Sequence, residues 1–239
     1  MRHLTRTAAL AGSTLIFGLM AIAADDGVEA RRADQAALKE YGRLVGSWRG
    51  TGQPKRGQAS GSWQESASWA WVLSADSAAL EVGFEKGKYL KSARLRRGKG
   101  AGEFVLDATL ADGSARSFAG RKVKDAPLVL AADGKGEGVR RVTLTIPNEN
   151  RVLLLLESET QSKAFARLGE VGYTRNGVAF AAGESGPVCI VTEGRGTTQV
   201  SYQGKSYYVC CSGCKDLFNK DPAGVLAEAA ERAKARAKK

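Results

Sequence analysis

The chain has 239 residues, with 36 Lys+Arg against 25 Asp+Glu for a formal charge of +11, and is 43% hydrophobic and 26% charged. This is globular composition, neither disordered nor fibrous, and at about 100–200 residues per independent core the length suits two modest domains better than one large one. The single His is His3 and the two Met are Met1 and Met20, so beyond residue 23 the chain offers neither imidazole nor thioether. That excludes Ser-His or Cys-His nucleophile pairs, His-ligated haem, His-containing zinc and Met-containing copper sites.

Residues 1–23 carry Arg2 and Arg6, then an apolar stretch from Ala8 to Ala23, and close on Ala21-Ile22-Ala23. This is the pattern of a secretory signal peptide with a small-x-small cleavage site, and it predicts an exported protein cut after Ala23 or Ala24. The apolar run is shorter than the roughly 20 residues a spanning helix prefers and is interrupted by Gly12, Ser13, Thr14 and Gly18. The expected product is therefore not an integral membrane protein, and it resides in a periplasmic or extracellular space where disulfides can form. Loss of Arg2 and Arg6 lowers the charge from +11 to +9. The remaining basic residues are spread along the chain without a nucleic-acid motif, so no nucleic-acid partner is expected.

Ala36, Ala37, Tyr41 and Leu44 fall at helical spacings and predict a short helix over Ala33 to Leu44. From Val45 onward the period changes to two. Phe104, Leu106, Ala108 and Leu110 alternate with polar or charged residues, as do Val142, Leu144 and Ile146. In the Trp-rich segment Trp63, Ala67, Trp69, Trp71 and Leu73 share one face, on which Glu65 is the exception. Turn signals at Gln53-Pro54, Glu85-Lys-Gly87, Arg97-Gly-Lys-Gly100, Ala111-Asp-Gly113, Ala132-Asp-Gly134 and Pro147-Asn148 divide the region into about ten short strands. A run of hairpins hides its edges most simply by closing into an antiparallel barrel. Glu157 and Glu159 lie two apart on one strand face; an acid/base pair and a solvated face both fit that spacing, and the solvated face is the preferred reading.

The segment Arg43-Leu-Val-Gly46-Ser47-Trp48-Arg49-Gly50, a helix followed by Gly-x-Trp at the first strand, resembles the opening of lipocalin-like (calycin) β-barrels. The resemblance implies a barrel over residues 33–182 whose helix plugs one end and whose Trp48 packs over the floor. It implies an interior that either holds a small apolar ligand or is filled by side chains. Haem-binding relatives with ten strands use a proximal His, which this chain lacks.

Ala181 to Pro187 is rich in small residues and reads as a linker; beyond it lie all four cysteines, Cys189, Cys210, Cys211 and Cys214, in a second module over residues 184–239. Val188 to Val191, Gln199 to Tyr202 and Lys205 to Val209 read as strands, with Gln203-Gly204 as a turn. A helix is expected from Ser212, and Asp221-Pro222 supplies the N-cap and first position of a last helix running to about Lys234. Cys210 and Cys214 are four apart, so one helical turn places both sulfurs on one side, near a helix N-terminus that favours the thiolate. Three or four thiolates without a nitrogen donor suit Cu(I) or Zn(II). A structural disulfide joining Cys189 to Cys210 or Cys211 and thiol-disulfide chemistry at Cys211-Ser-Gly-Cys214 are the alternatives.

Val200-Ser-Tyr-Gln-Gly-Lys-Ser-Tyr-Tyr-Val-Cys210-Cys211-Ser-Gly-Cys214-Lys-Asp-Leu-Phe218-Asn-Lys-Asp221-Pro222, preceded by Gly186-Pro-Val-Cys189, closely resembles the TRASH and YHS cysteine-rich domains, small treble-clef-like modules associated with heavy-metal sensing, trafficking and resistance. The resemblance implies that Cys189, Cys210 and Cys214 are metal ligands, with Cys211 an additional thiol. Ile190-Val191 replaces the common Gly-Met of those domains and removes a thioether. The expected whole is thus mainly β: a lipocalin-like antiparallel barrel followed by a small α+β cysteine module, with no catalytic residue. Export predicts that mass spectrometry of the secreted protein finds Ala24 or Asp25 at the N-terminus; an intact Met1 refutes cleavage.

Overall fold

Period-two alternation dictates the architecture. The computed structural model describes residues 16–134, 136–176 and 187–237. Ten strands, β1 (Gly46–Gln53), β2 (Trp63–Leu73), β3 (Ala78–Glu85), β4 (Leu90–Arg97), β5 (Glu103–Leu110), β6 (Ala115–Arg121), β7 (Leu128–Ala131), β8 (Arg141–Asn148), β9 (Arg151–Glu159) and β10 (Phe165–Arg175), run antiparallel in sequence order. β1 pairs with both β2 and β10 and closes the barrel. In β5 every second residue, Phe104, Leu106, Ala108 and Leu110, is buried, and Ala67, Trp69 and Trp71 of β2 point inward with them.

The lumen is packed. Trp69, Phe84, Leu144 and Leu154 line two interior cavities of about 10 and 20 Å³, room for at most a single water each. Of the two interiors implied by the lipocalin-like opening, these small cavities fit the side-chain-filled one among the described residues.

The expected helix over Ala33–Leu44 is divided. Helix α1 (Ile16–Ala37) stops at Leu38, and a 3₁₀ helix (Lys39–Leu44) follows. The tighter winding eclipses positions three apart, which lets Tyr41 and Leu44 both turn into the barrel end, where Tyr41 meets the Phe104 ring edge-on at 5.2 Å. Trp48 lies beneath this plug, donating from Nε1 to the Leu44 carbonyl at 2.7 Å, with the Arg175 guanidinium 4.2 Å over its ring. Gly46 enters β1 at φ 120°, and a Cβ there would stand 2.9 Å from the Arg175 guanidinium. α1 runs across the expected cleavage point; further along it, Asp34 accepts from Arg97 at 2.7 Å and from the Ala78 amide at 3.2 Å, docking the helix on β3 and β4. Among the described residues no helix is long and apolar enough to cross a membrane.

The second module holds a two-stranded sheet, β11 (Thr198–Tyr202) and β12 (Lys205–Val209), then α2 (Ser212–Lys220) and α3 (Pro222–Ala237). The strand expected at Val188–Val191 is instead one bridge, Val188 to Arg195, around a tight knuckle. Cys189 N–H donates to the Gly194 carbonyl at 2.7 Å and its carbonyl accepts from Glu193 at 2.9 Å, so local bonds outcompete a ladder here. The expected linker falls largely on residues 177–186, outside those described.

Glu65, the exception on the apolar face of β2, is buried at 8% exposure and fully engaged: it accepts from the Tyr173 hydroxyl, from Trp63 Nε1 at 2.6 Å and from the Lys88 amide at 3.4 Å. Burial, then the neighbouring carboxylate, raises the Tyr173 phenol well above its ordinary value, so it stays a donor. Replacing Glu65 by Ala orphans the buried Tyr173 hydroxyl and the half-buried Trp63 N–H and should cost about 2–5 kcal/mol of unfolding free energy. Glu65→Gln, which keeps an acceptor, should recover part of that loss in urea titration; equal stability of Glu65→Ala and wild type would refute this account.

Candidate metal centre

Three local structures converge on one point. The β11–β12 hairpin turns at Gln203 and Gly204, both with positive φ (48° and 74°), as a two-residue hairpin requires. β12 thereby delivers Cys210 at its end, Cys211 is the N-cap residue of α2, and Cys214 sits in that helix's first turn. The knuckle supplies Cys189 from the other side, held to the hairpin by the bond from Ile190 N–H to the Tyr208 carbonyl at 2.8 Å. Val191, Val200, Val209, Phe218 and Val225 are buried around them, and the Tyr207 and Phe218 rings lie 5.7 Å apart. Both residues serve as module core.

Cys189 and Cys214 are 0% exposed and Cys210 7%. Their three sulfurs lie within 4.8 Å of one another, the donor group among the described residues that could hold one metal ion. Cys210 Sγ is 3.5 Å from Cys214 Sγ and 3.4 Å from Thr192 Oγ1. All four cysteines are free thiols. Cys211, half-buried, is placed differently: its Sγ is 3.9 Å from that of Cys210 and accepts the Trp71 backbone N–H of β2 at 3.3 Å. Hydrogen bonds from the Cys210 and Cys214 thiols hold Cys189 and Cys211 well below the ordinary thiol range, and giving those bonds pushes Cys210 and Cys214 up. A buried cluster that shares protons between sulfurs is chemically ready to exchange them for a cation, since thiolates are the ligating form. The set is all sulfur, which fits a soft ion.

Residues 187–224 match the YHS domain. The YHS domain spans the knuckle, the hairpin, α2 and the start of α3, so it contains all four cysteines, while the barrel lies outside the match. No curated protein matches the chain. Within the YHS domain, Asp221 caps α3 by accepting the Gly224 N–H at 2.9 Å, with Pro222 in the first helical position.

Glu157 and Glu159 are not a free acid pair. Glu157 receives two bonds from Arg141, at 2.6 and 2.8 Å, and Glu159 faces the Arg140 guanidinium at 3.9 Å. Sequence reasoning missed Thr192, which the knuckle brings to the sulfurs, and Trp71, whose part is played by its backbone and so leaves no side-chain signature. Thiol labelling of the folded, reduced, metal-free protein should modify Cys211 first, with the buried Cys189, Cys210 and Cys214 following only on unfolding. Simultaneous labelling of all four under native conditions would contradict the packing.

Proposed function

We propose that this is an exported, non-enzymatic metal-binding protein that holds a soft ion, Cu(I) or Zn(II), on the thiolates of Cys189, Cys210 and Cys214, in metal sensing, trafficking or resistance. The observation that carries the reading is the approach of three buried sulfurs to within 4.8 Å without a disulfide among them. The YHS match over the same residues supports it, as does the absence of His and Met beyond residue 23, which leaves sulfur as the soft donor. When bound, the ion would supply cross-linking between knuckle, hairpin and α2; the chain's own work is to bring the donors together and exclude water. The signal-like leader supports export, and the packed barrel serves as a scaffold for the module.

Anaerobic titration of the reduced protein should show one tightly bound Cu(I) or Zn(II). Cys189→Ser, Cys210→Ser and Cys214→Ser should each weaken it by about tenfold or more, with far-UV circular dichroism confirming that the barrel is intact. Failure of folded, fully reduced protein to bind either ion would refute the proposal. Turnover of a disulfide substrate by the same preparation would replace it with thiol-disulfide chemistry.

A further inference from the structure

Cys211 differs from its three neighbours in what it touches. β2 outruns β1: their pairing ends at Gly46 opposite Trp69, whereas β2 continues against β3 as far as Leu73 opposite Ala78. On the side that β1 leaves uncovered, the Trp71 backbone N–H has no strand partner and donates to Cys211 Sγ at 3.3 Å. Two residues further on, a Cβ on Gly213 would stand 1.8 Å from the Trp71 carbonyl oxygen, so the first turn of α2 lies directly on the strand backbone. The module thus covers a free sheet edge, and the thiol that makes the contact is the one left over from the buried trio.

We infer that the Trp71 edge of the barrel holds Cys211 out of the metal centre and thereby sets its ion class: docked, the module offers three thiolates and selects Cu(I) over Zn(II). This rests on the reading that Cys189, Cys210 and Cys214 bind the metal. Zinc in closed protein sites takes four ligands, whereas Cu(I) is satisfied by three thiolates. Cys211 Sγ, 3.9 Å from Cys210 Sγ, is the nearest further sulfur. Cys211 lies outside the group of sulfurs within 4.8 Å of one another, so its recruitment as a fourth ligand would draw its sulfur toward that trio and away from the Trp71 N–H. A four-sulfur zinc site therefore loads the docking contact, whereas three-thiolate Cu(I) leaves it as it is.

Gly213→Ala tests this without altering a thiol: the new methyl cannot coexist with the Trp71 carbonyl in the docked position, and alanine favours the helix itself. Full-length wild type, Gly213→Ala, Cys211→Ala and the double variant are titrated anaerobically with Cu(I) and Zn(II), and with Co(II) as a spectroscopic probe of thiolate number. In wild type, Co(II) should report three thiolates, and Cys211 should stay reactive to a thiol reagent in the zinc-loaded protein. Gly213→Ala should raise Zn(II) affinity about tenfold or more, show four thiolates and protect Cys211, with Cu(I) affinity held within about twofold. Cys211→Ala should leave both affinities unchanged in the docked protein and abolish the gain in the double variant. Four thiolates on Co(II) in wild type, loss of Zn(II) binding in Cys211→Ala alone, or an unchanged ion preference in Gly213→Ala would each overturn the inference. Absence of Cu(I) and Zn(II) binding by all four proteins would instead overturn the underlying metal-site reading.

Discussion

The structure turns on a mismatch of strand lengths. When β1 closes the barrel between β10 and β2, it covers β2 only as far as Trp69, while β2 runs on to Leu73. The overhang exposes backbone donors and acceptors on the sheet edge, a surface that proteins usually cover or disarm. Here the first turn of α2 covers it, with a cysteine sulfur accepting the amide and a glycine admitting the carbonyl. A small module with little core of its own thereby gains a rigid base, and its thiol cluster is fixed relative to a packed barrel rather than to a tether.

A second set of contacts fastens the module from the far side. Glu193, in the knuckle that carries Cys189, is met by Lys39 at 3.7 Å, by Arg232 at 3.2 Å and by Arg236 of α3. Arg232 also donates to the Ile190 carbonyl at 2.6 Å, and the buried Arg31 of α1 pairs with Glu228 of α3. The pairs at Glu193, whose cations reach into solvent, are individually worth little, at about 0–1 kcal/mol. Their arrangement matters more than their sum, because one carboxylate links the knuckle to both α3 and the plug of the barrel.

Much of this was legible in the residues. The alternation in Phe104–Leu110 and in the Trp-rich strand identifies the faces of β5 and β2, because a half-buried strand can satisfy burial in only one way. The cysteine spacing brings Cys210 and Cys214 together, although Cys210 stands before the N-cap Cys211 and not in the helical turn expected of it. What was not legible depends on contacts remote in sequence. The Arg175 guanidinium over Trp48, the arrest of α1 at Leu38 and the knuckle at Val188–Arg195 answer to partners that no local period announces. The filling of the lumen is likewise a property of ten strands at once, so the Gly-x-Trp opening leaves it undecided.

Glu65 and Tyr173 meet across 108 residues of chain, one on β2 and one on β10, the strands flanking β1 at the closure. A slip of β10 by one residue would turn Tyr173 to the solvent and leave a carboxylate inside the lumen without its hydroxyl donor. The same slip would turn Val171 outward as well, so the polar pair and the apolar face of β10 specify one register together. The buried carboxylate therefore adds a penalty for misalignment of the last strand to the one that its apolar face already imposes.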